Sequence, residues 1–597
     1  MSLTRPELSG TFGAVTSTHW LASSVGFGVL ERGGNAFDAA VATGLTLSVV
    51  EPHLNGPGGE APMILYHAKT RRTVVVNGQG VAPKAATIAK FRELNLDMVP
   101  GTGFLAACVP STFDTWMHVL SNYGTMTPAE VLAPAIHYAH NGFPLLPSMV
   151  RTIAMVQKLF NTEWKTSAAL WLRNGELPKP GEYQKNPAFA DTYARIAKES
   201  EAARGGREKK IEAARAAWSD GFVAEAIDKF VKTPVMDSSG HRHAGLINGG
   251  DLSKWRAWEE HPATFDYAGY TVAKCGPWNQ GPVFLQQLAL LAGFDLAKMP
   301  PTSPEFVHTV VEAAKLAFAD REAYYGDPSF VNVPLSQLLD KKHNDARRKL
   351  ITDKASLEDR PSVLEGFKII PTPVTGKDEN IEAATEKAMP MGVGEPTVRR
   401  DGFTKGDTVH LDTVDKDGNM LSATPSGGWY QSSPLIPELG FCLGTRAQMF
   451  WLQEGHPSAL APGKRPRATL SPSIAMRDGE PYMAFGTPGG DQQDQWTLNS
   501  FLYHVHHGMN LQESIEAPMF HTDHFRSSFY PREAKPGSLQ MEGRYPKETI
   551  DELKRRGHVV EVGPEWSLGR NTAVSRKDGI VRAAASPRGQ QGYAVAR

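Results

Sequence analysis

The stretch that decides the fold runs from Thr408 to Thr424. It reads Thr408-Val-His-Leu-Asp-Thr-Val-Asp415, then Lys416-Asp-Gly-Asn419, then Met420-Leu-Ser-Ala-Thr424. Polar and apolar residues alternate before the central four residues, and Asp417-Gly418 is a dipeptide typical of tight turns. The pattern predicts a β-hairpin whose first strand opens at Thr408.

The segment before this hairpin, 351–406, has a different composition. Its charges are scattered and show no clean periodicity, which indicates a linker or a mobile loop. We therefore predict that 351–407 is a mobile linker and that the chain is cut where it meets the hairpin, between Asp407 and Thr408. The prolines that interrupt the segment are Pro361, Pro371, Pro373, Pro390 and Pro396.

Two helices are predicted with clear ends in the first half of the chain. Asn35 and Asp38 supply an N-cap and an acidic first turn for a helix over 36–50. Ser303 precedes a proline and opens a second helix that stops at Gly326.

The composition sets broad limits on function. A chain of 597 residues exceeds what one hydrophobic core usually fills, so more than one domain or subunit is expected. A formal net charge of -1 gives no support to nucleic acid or an anionic membrane surface as a partner. The Ala/Glu/Lys/Arg-rich stretch from Glu199 to Ala217 predicts a solvated helix that carries no chemistry.

The expected compartment is the cytoplasm. Three widely separated cysteines suggest no disulfide framework, the first residues lack a secretory signal pattern, and no apolar run is long enough for a spanning helix. These features predict a protein that does not use a membrane as a partner.

Thr408 is a candidate nucleophile if it becomes the first residue of a chain. A threonine hydroxyl is a poor nucleophile until a base takes its proton. A free α-amine has a pKa of about 7.7–8.0, so the threonine's own amine could be that base. A threonine that opens a strand is nevertheless commonplace, and the position alone is weak support.

Further motifs strengthen this interpretation. The stretch 406–419 resembles the start of the small subunit in the γ-glutamyltransferase family, and the other matching motifs follow in the family's order over about 33–590. These motifs are 33–40, Pro57-Gly-Gly59, 123–126, 312–321, Lys464-Arg-Pro466, Leu470-Ser-Pro-Ser473, Gly486-Thr-Pro-Gly-Gly-Asp491 and 516–521.

The resemblance implies an α/β fold, the four-layer αββα sandwich of the N-terminal nucleophile hydrolases. It implies a precursor that cleaves itself into a large subunit, 1–407, and a small subunit, 408–597. Thr408 would then be the nucleophile, and Ser426, 18 residues further on, would replace the family's second hydroxyl. The family's oxyanion-hole glycines fall on Gly489 and Gly490.

The substrate-binding positions depart from the family pattern. The arginine that holds the glutamyl α-carboxylate aligns with Gln79, and the acidic residue that holds the α-amino group aligns with Met449. A neighbouring glutamine aligns with Arg446, and a Ser-Ser pair aligns with Ala468 and Thr469. Without the arginine, the bidentate clamp on a carboxylate is lost.

These changes predict an amidohydrolase whose acyl donor is not a standard γ-glutamyl compound. The stretch 491–496 looks more like divergent members of the superfamily, the oxamate amidohydrolases and cephalosporin acylases. As a hypothesis, Arg446 anchors an anionic group of that donor; an ion-paired arginine is an equal alternative. The predicted partners are a small-molecule amide and the two subunits of one precursor, and a homo-oligomer of heterodimers is possible.

Three other functions stay open. One is a true γ-glutamyltransferase or glutathione hydrolase with an altered pocket, and another is a catalytically idle homologue. The third is a metal-dependent hydrolase built on histidine clusters, but their spacing matches no metal motif, so we predict no metal and no cofactor. The clusters are His504-Val-His-His507, His521-Thr-Asp-His524 and His241-Arg-His243.

Overall fold

The structure, a computed structural model, describes residues 3–372 and 408–597. Its strands, in chain order, are β1 Leu8–Gly10, β2 Gly13–Ser17, β3 Met63–His67, β4 Arg72–Asn77, β5 Phe143–Pro144, β6 Tyr183–Gln184, β7 Val235–Met236, β8 Arg242–His243, β9 Trp258–Glu260, β10 Ala263–Tyr267, β11 Tyr270–Lys274, β12 Leu411–Asp415, β13 Met420–Ala423, β14 Ser473–Arg477, β15 Glu480–Gly486, β16 Phe520–His521, β17 Ser538–Glu542, β18 Val559–Gly563, β19 Thr572–Lys577, β20 Ile580–Ala585 and β21 Tyr593–Ala596.

The α-helices of the same residues are α1 Trp20–Glu31, α2 Ala36–Val50, α3 Ile88–Glu93, α4 Thr112–Tyr123, α5 Pro128–Asn141, α6 Pro147–Thr162, α7 Lys165–Trp171, α8 Pro187–Ala202, α9 Arg207–Ser219, α10 Phe222–Phe230, α11 Gly249–Lys254, α12 Pro282–Leu291, α13 Pro304–Tyr324, α14 Leu335–Leu338, α15 Lys341–Arg348, α16 Gln493–His507, α17 Leu511–Glu516 and α18 Lys547–Arg555.

Two seven-stranded antiparallel sheets dominate the fold. The first has the order β1-β20-β19-β15-β14-β11-β10, and the second has the order β21-β2-β12-β13-β3-β4-β9. Each sheet combines strands from before and after residue 408. The two parts of the chain are therefore interleaved within both sheets.

Three hydrophobic clusters account for most of the buried core. One packs α2 and its neighbouring helices on the second sheet, and another packs α12, α13 and α16 on the first sheet. The third contains residues of both sheets, such as Val414 and Ile474. Successive strand residues point to opposite faces, so Leu421 joins the first cluster and Met420 the third.

The hairpin and both capped helices are confirmed, but the first strand begins at Leu411 and not at Thr408, which forms an isolated bridge with Ser426. Strands β12 and β13 pair in antiparallel register, with Leu411 opposite Ala423. Asn35 and Asp38 form a reciprocal capping box at the start of α2. The side chain of Ser303 caps α13, which ends at Tyr324.

The helix predicted over 199–217 is wrong in extent. Helix α8 ends at Ala202 and α9 begins at Arg207, and Gly205 between them has a φ of 123°. A glycine adopts this conformation at no steric cost, so the chain turns there instead of continuing the helix. Helix α9 also buries residues such as Trp218, so it is not solvated on all sides.

The described part of the predicted linker packs on α13. Arg360 donates from Nη2 to Glu312 Oε2 at 2.9 Å, and the Ser362 hydroxyl donates to Asp320 Oδ2 at 2.7 Å. The remainder of the predicted linker, 373–407 with Asp407, lies outside the described residues. Among the helices that the structure describes, none combines the length and the apolar character needed to cross a membrane.

Candidate active site around Thr408

Thr408 and Ser426 lie opposite each other where the hairpin enters the core. The two residues form an antiparallel bridge, and the Val409 N–H donates to the Pro425 carbonyl at 3.0 Å. Their hydroxyl oxygens, Thr408 Oγ1 and Ser426 Oγ, are 3.1 Å apart. The structure thus brings the predicted nucleophile and the predicted second hydroxyl within hydrogen-bond distance, and both residues are buried.

The predicted glycine pair lies on the other side of the Thr408 hydroxyl. Thr408 Oγ1 donates to the Gly489 carbonyl at 3.3 Å. Gly489 has a φ of 128°, and a Cβ there would lie 2.8 Å from the Trp496 ring, so the conformation and the packing both require glycine. Within residues 3–372 and 408–597, the N–H groups of Gly489 and Gly490 have no hydrogen-bond acceptor.

Asp491 fixes the backbone that follows this pair. Its carboxylate accepts from the Ser528 N–H at 2.8 Å, from the Ser528 hydroxyl at 2.6 Å and from the guanidinium of Arg321. Hydrogen bonds to a carboxylate are among the stronger ones in proteins. The turn that carries the two glycines is therefore held at a defined distance from Thr408.

Arg446 lies beside Ser426 and is paired with an acidic residue. Its Nη2 donates to Ser426 Oγ at 2.9 Å, and its Nε donates to Glu60 Oε1 at 2.6 Å. Both side chains are buried, at 2% and 3% exposure. Burial raises the pKa of Glu60, and the charge of Arg446 opposes that rise. The positive charge predicted as an anion anchor is thus matched by a buried carboxyl group.

Met449 and two aromatic rings form an apolar surface next to this ion pair. Met449 packs with Trp429 and Phe529, and its sulfur is 3.9 Å from Arg446 Nη1. The guanidinium lies 5.6 Å from the Trp429 ring and 5.8 Å from the Phe529 ring, within the range of cation–π attraction. A thioether in an apolar cluster offers no counter-charge to an ammonium group.

Gln79 and Thr469 each follow a residue whose backbone carbonyl accepts a hydrogen bond, Gly78 from Ala61 and Ala468 from Gln280. Gln79 follows Gly78, whose carbonyl accepts from Ala61, the residue after Glu60. Both Gln79 Oε1 and Thr469 Oγ1 are buried without a hydrogen-bond partner in the part of the chain that the structure describes.

Thr469 is connected to the glycine pair through Gln280. The Gln280 N–H donates to the carbonyl of Ala468, the residue before Thr469, at 2.8 Å. The Gln280 side chain donates to the Gly490 carbonyl at 3.4 Å. Thr469 is thus linked to the glycine pair through its neighbour Ala468, and no hydrogen bond between Thr469 and Thr408 is found among the described residues.

Sequence reasoning missed three charged residues at the site: Glu60, Glu51 and Arg570. Arg570 Nη2 donates to the Thr408 carbonyl at 3.3 Å, and its Nη1 lies 4.0 Å from Glu51 Oε1. Burial raises the pKa of Glu51 to about 7. In the sequence, Glu60 is simply the last residue of the turn-forming stretch 53–60. No local pattern connects Glu60, Glu51 or Arg570 with Thr408.

Five of the seven histidines in the three sequence clusters have polar partners within the protein. His504 Nε2 and His506 Nε2 lie 2.9 and 2.8 Å from tyrosine hydroxyls, and His243 Nδ1 lies 2.7 Å from Asp237. His524 accepts from a backbone N–H at 2.9 Å, and His521 Nε2 lies 3.5 Å from an Asp523 oxygen.

A different group, His308, Glu312 and His558, brings three potential metal ligands together from distant parts of the chain. His308 Nδ1 and His558 Nε2 are 2.8 Å apart, as in a hydrogen bond between the rings. Glu312 is already bonded to Lys315 at 2.6 Å and to Arg360 at 2.9 Å. Two cations on its only carboxylate oppose the binding of a metal cation, so we assign no metal to this group.

The family of the chain follows from comparison with known proteins. The family model described as Gamma-glutamyltranspeptidase matches residues 22–596, and the chain belongs to this family. It is 30% identical over 591 residues to the "Glutathione hydrolase-like YwrD proenzyme" of Bacillus subtilis, and the alignment covers 97% of this chain and 98% of the relative. It is 29% identical over 593 residues to the "Oxamate amidohydrolase proenzyme" of Klebsiella pneumoniae, with 97% of each chain covered.

Solved structures with the same fold include two close matches. One, described as "Structure of LmbA2991HD", is 50% identical with a TM-score of 0.91 and covers 100% of both chains. The other, a cephalosporin acylase from Bacillus halodurans, is 26% identical with a TM-score of 0.82 and covers 100% of this chain and 98% of that one. The predicted family and the mixed α/β fold are confirmed.

Proposed function

We propose that this protein is a self-processing amidohydrolase that is cut before Thr408 and uses the freed threonine as its nucleophile. The observation that carries the proposal is the position of Thr408 Oγ1, 3.1 Å from Ser426 Oγ and 3.3 Å from the Gly489 carbonyl. Relatives named as hydrolases, acylases and amidohydrolases support amide cleavage as the reaction.

The proposed reaction proceeds through an acyl-enzyme. The α-amine of Thr408 takes the proton from Oγ1, and the oxygen attacks the amide carbonyl carbon. The N–H groups of Gly489 and Gly490 stabilise the resulting oxyanion. The carbon–nitrogen bond then breaks, and the leaving amine receives the proton from the Thr408 ammonium. Water, deprotonated by the same α-amine, attacks the ester carbonyl carbon. The ester bond to Oγ1 breaks, the Thr408 ammonium returns its proton to Oγ1, and the acid leaves.

The fold supports the cleavage part of the proposal. We propose that the two stacked sheets and their outer helices form the four-layer αββα sandwich predicted for this class. Both sheets contain strands from 1–407 and strands from 408–597. Two fragments joined in this way would stay associated after the peptide bond is cut, because every large cluster of the core draws on both.

The proposed acyl donor lacks an α-ammonium group. Met449 lies in an apolar cluster where a γ-glutamyl donor would need an acidic partner, and Gln79 replaces the carboxylate-binding arginine. An unpaired ammonium in such surroundings is strongly disfavoured. A carboxylic amide without that group would meet no such penalty.

Denaturing electrophoresis and N-terminal sequencing test the cleavage. The 65.1 kDa chain should separate into fragments of about 45 and about 21 kDa, the smaller one beginning Thr-Val-His-Leu. Thr408→Ala should remain a single chain with no amidase activity. An intact wild-type chain that is active, or an active Thr408→Ala variant, would contradict the proposal.

Matched p-nitroanilides test the acyl donor. Glutaryl-p-nitroanilide and γ-glutamyl-p-nitroanilide release the same coloured amine and differ only in the α-amino group. We expect kcat/KM to be higher for the glutaryl compound by about tenfold or more, since the pocket lacks a partner for the ammonium. A preference for the γ-glutamyl compound would instead support a glutathione hydrolase, as some relatives are named.

A further inference from the structure

We propose that the buried Glu60–Arg446 ion pair is a positioning device that directs the Ser426 hydroxyl at Thr408, and that Arg446 acts through Ser426 and not on the substrate. The inference rests on the function proposed above. It assigns roles to two residues, one on each side of the cleavage site, that hold the second hydroxyl in place.

Glu60 is attached to Ser426 by its backbone. The Glu60 N–H donates to the Ser426 carbonyl at 2.9 Å, and the Ser426 N–H donates to the Glu60 carbonyl at 2.9 Å. The Glu60 carboxylate turns back to Arg446, which reaches Ser426 Oγ from Nη2. These hydrogen bonds form a closed ring. They run from the Ser426 backbone to Glu60, from the Glu60 carboxylate to Arg446, and from Arg446 back to the Ser426 hydroxyl.

This ring of hydrogen bonds orients the Ser426 hydroxyl relative to Thr408. A serine hydroxyl has one proton to donate and two lone pairs that accept. The Arg446 N–H donates to one lone pair, and Thr408 Oγ1 lies 3.1 Å from Ser426 Oγ, within hydrogen-bond distance of the hydroxyl. A hydrogen bond from Ser426 to Thr408 Oγ1 would stabilise the negative charge that develops there as Thr408 loses its hydroxyl proton, in self-cleavage as well as in the attack on a substrate amide. The positive charge of Arg446 polarises the Ser426 hydroxyl in the same direction.

The remaining donors of Arg446 leave little for a substrate carboxylate. Nε and Nη2 are used by Glu60 and Ser426, and Nη1 faces the Met449 sulfur at 3.9 Å. The carboxyl group of Glu60 balances the positive charge. An anionic substrate would have to compete with this buried partner, so positioning is the role that the contacts support.

A double-mutant cycle on self-cleavage tests the inference without any substrate. Cleavage before Thr408 is followed by intact mass over days in four forms: wild type, Ser426→Ala, the pair variant Glu60→Gln with Arg446→Met, and all three changes together. The pair variant removes both charges, so that no ion is left buried and unpaired. We expect the pair variant to cleave about 100-fold more slowly than wild type. In the Ser426→Ala background the same two changes should add no further loss, because Arg446 acts through the serine hydroxyl.

Two variants separate positioning from support of the fold. Arg446→Lys keeps a cationic donor beside Glu60 and should cleave at least tenfold faster than the pair variant. Glu542→Gln removes another buried carboxylate that is bonded to two arginines, Arg544 and Arg588, and should cleave at the wild-type rate. Thermal unfolding of each variant shows how much fold is lost.

Three outcomes would overturn the inference. The first is a pair variant that cleaves itself at the wild-type rate. The second is an equal loss of cleavage rate from the two changes whether or not Ser426 is present. The third is a pair variant whose KM for glutaryl-p-nitroanilide is raised while its kcat and self-cleavage rate are unchanged. The last result would assign Arg446 to the substrate carboxylate. The proposed function fails separately, if the wild-type chain is not cut before Thr408.

Discussion

The two sides of the proposed site differ in how their buried polar groups are satisfied. On the nucleophile side, Thr408, Ser426, Arg446 and Glu60 form a continuous set of hydrogen bonds. On the side predicted to hold the acyl donor, Gln79 Oε1 and Thr469 Oγ1 are buried and have no partner among the described residues.

This difference separates the parts of the site that are complete from those that a ligand would complete. A buried polar atom without a partner costs about 1–3 kcal/mol. On the nucleophile side the chain itself supplies the partners, so the geometry for attack exists before a ligand binds. On the other side we propose that the acyl donor supplies the missing partners.

Among substitutions outside the nucleophile itself, Gly489→Ala should give the largest loss of activity. A Cβ at Gly489 would lie 2.8 Å from the Trp496 ring, and the φ of 128° is unfavourable for alanine. The N–H groups of the glycine pair would move, and the loss of one oxyanion donor typically lowers kcat by about 100- to 1,000-fold. Initial rates with glutaryl-p-nitroanilide measure the effect.

Gly508→Ala is the matched control. Gly508 also has a positive φ, 66°, but a Cβ there would contact nothing within 4 Å. Alanine should cost about 1 kcal/mol of stability through the backbone and leave kcat unchanged. Equal rates for the two variants would mean that Gly489 has no part in the oxyanion site.

Thr469→Val changes the side of the site that is predicted to hold the acyl donor. It should weaken substrate binding without changing the stability of the protein. Valine has nearly the shape of threonine and removes a hydroxyl that has no partner in the described structure. We expect the free energy of unfolding to change by less than about 0.5 kcal/mol, and the KM for glutaryl-p-nitroanilide to rise about three- to tenfold.

Thr413→Val serves as the comparison. The Thr413 hydroxyl is buried and donates to the Ala36 carbonyl at 2.9 Å, so the same substitution should cost about 1 kcal/mol and leave KM unchanged. If Thr469→Val destabilises the protein as much as Thr413→Val and leaves KM as it was, Thr469 is a structural residue and not a ligand partner.

Local sequence patterns predicted the parts of the site that depend on neighbours in the chain. Alternation and Asp417-Gly418 predicted the hairpin, and Asn35 with Asp38 predicted the cap of α2. The resemblance to the family added Ser426, whose hydroxyl the structure brings to 3.1 Å from Thr408 Oγ1. Each of these predictions concerns either a local turn or a position in a known motif.

The parts that the sequence did not predict depend on contacts between distant residues. Glu60 and Arg446 are separated by 386 positions, and nothing in either local pattern indicates the pairing. Segment 351–372 has the composition of a linker, yet Arg360 and Ser362 bind acidic residues of α13. Burial and charge pairing decide both cases, and neither can be read from composition.

The smallest expected effect is a change in thermal stability that depends on Glu51. Glu51 and Glu60 are two carboxyl groups on the nucleophile side, and they differ in their distance from a cation. Glu60 has Arg446 in direct contact, whereas Arg570 Nη1 lies 4.0 Å from Glu51 Oε1. Burial raises the pKa of Glu51 from 4.5 to about 7. Between these values the folded protein binds more protons than the unfolded chain, so the stability from this group falls as pH rises from about 4.5 to about 7.

Glu51→Gln should remove this pH dependence because glutamine does not titrate. The shift corresponds to about 3 kcal/mol, so the variant's Tm relative to wild type should rise by about 2–3 °C between pH 5 and pH 8. Burial disfavours the charge of Glu542 as well, but Arg588 and Arg544 bring its pKa below the usual value. Glu542→Gln should therefore show the same difference from wild type at both pH values. A Glu51→Gln difference that also stays constant would mean that Glu51 is ionised throughout, with Arg570 close enough in solution to hold it so.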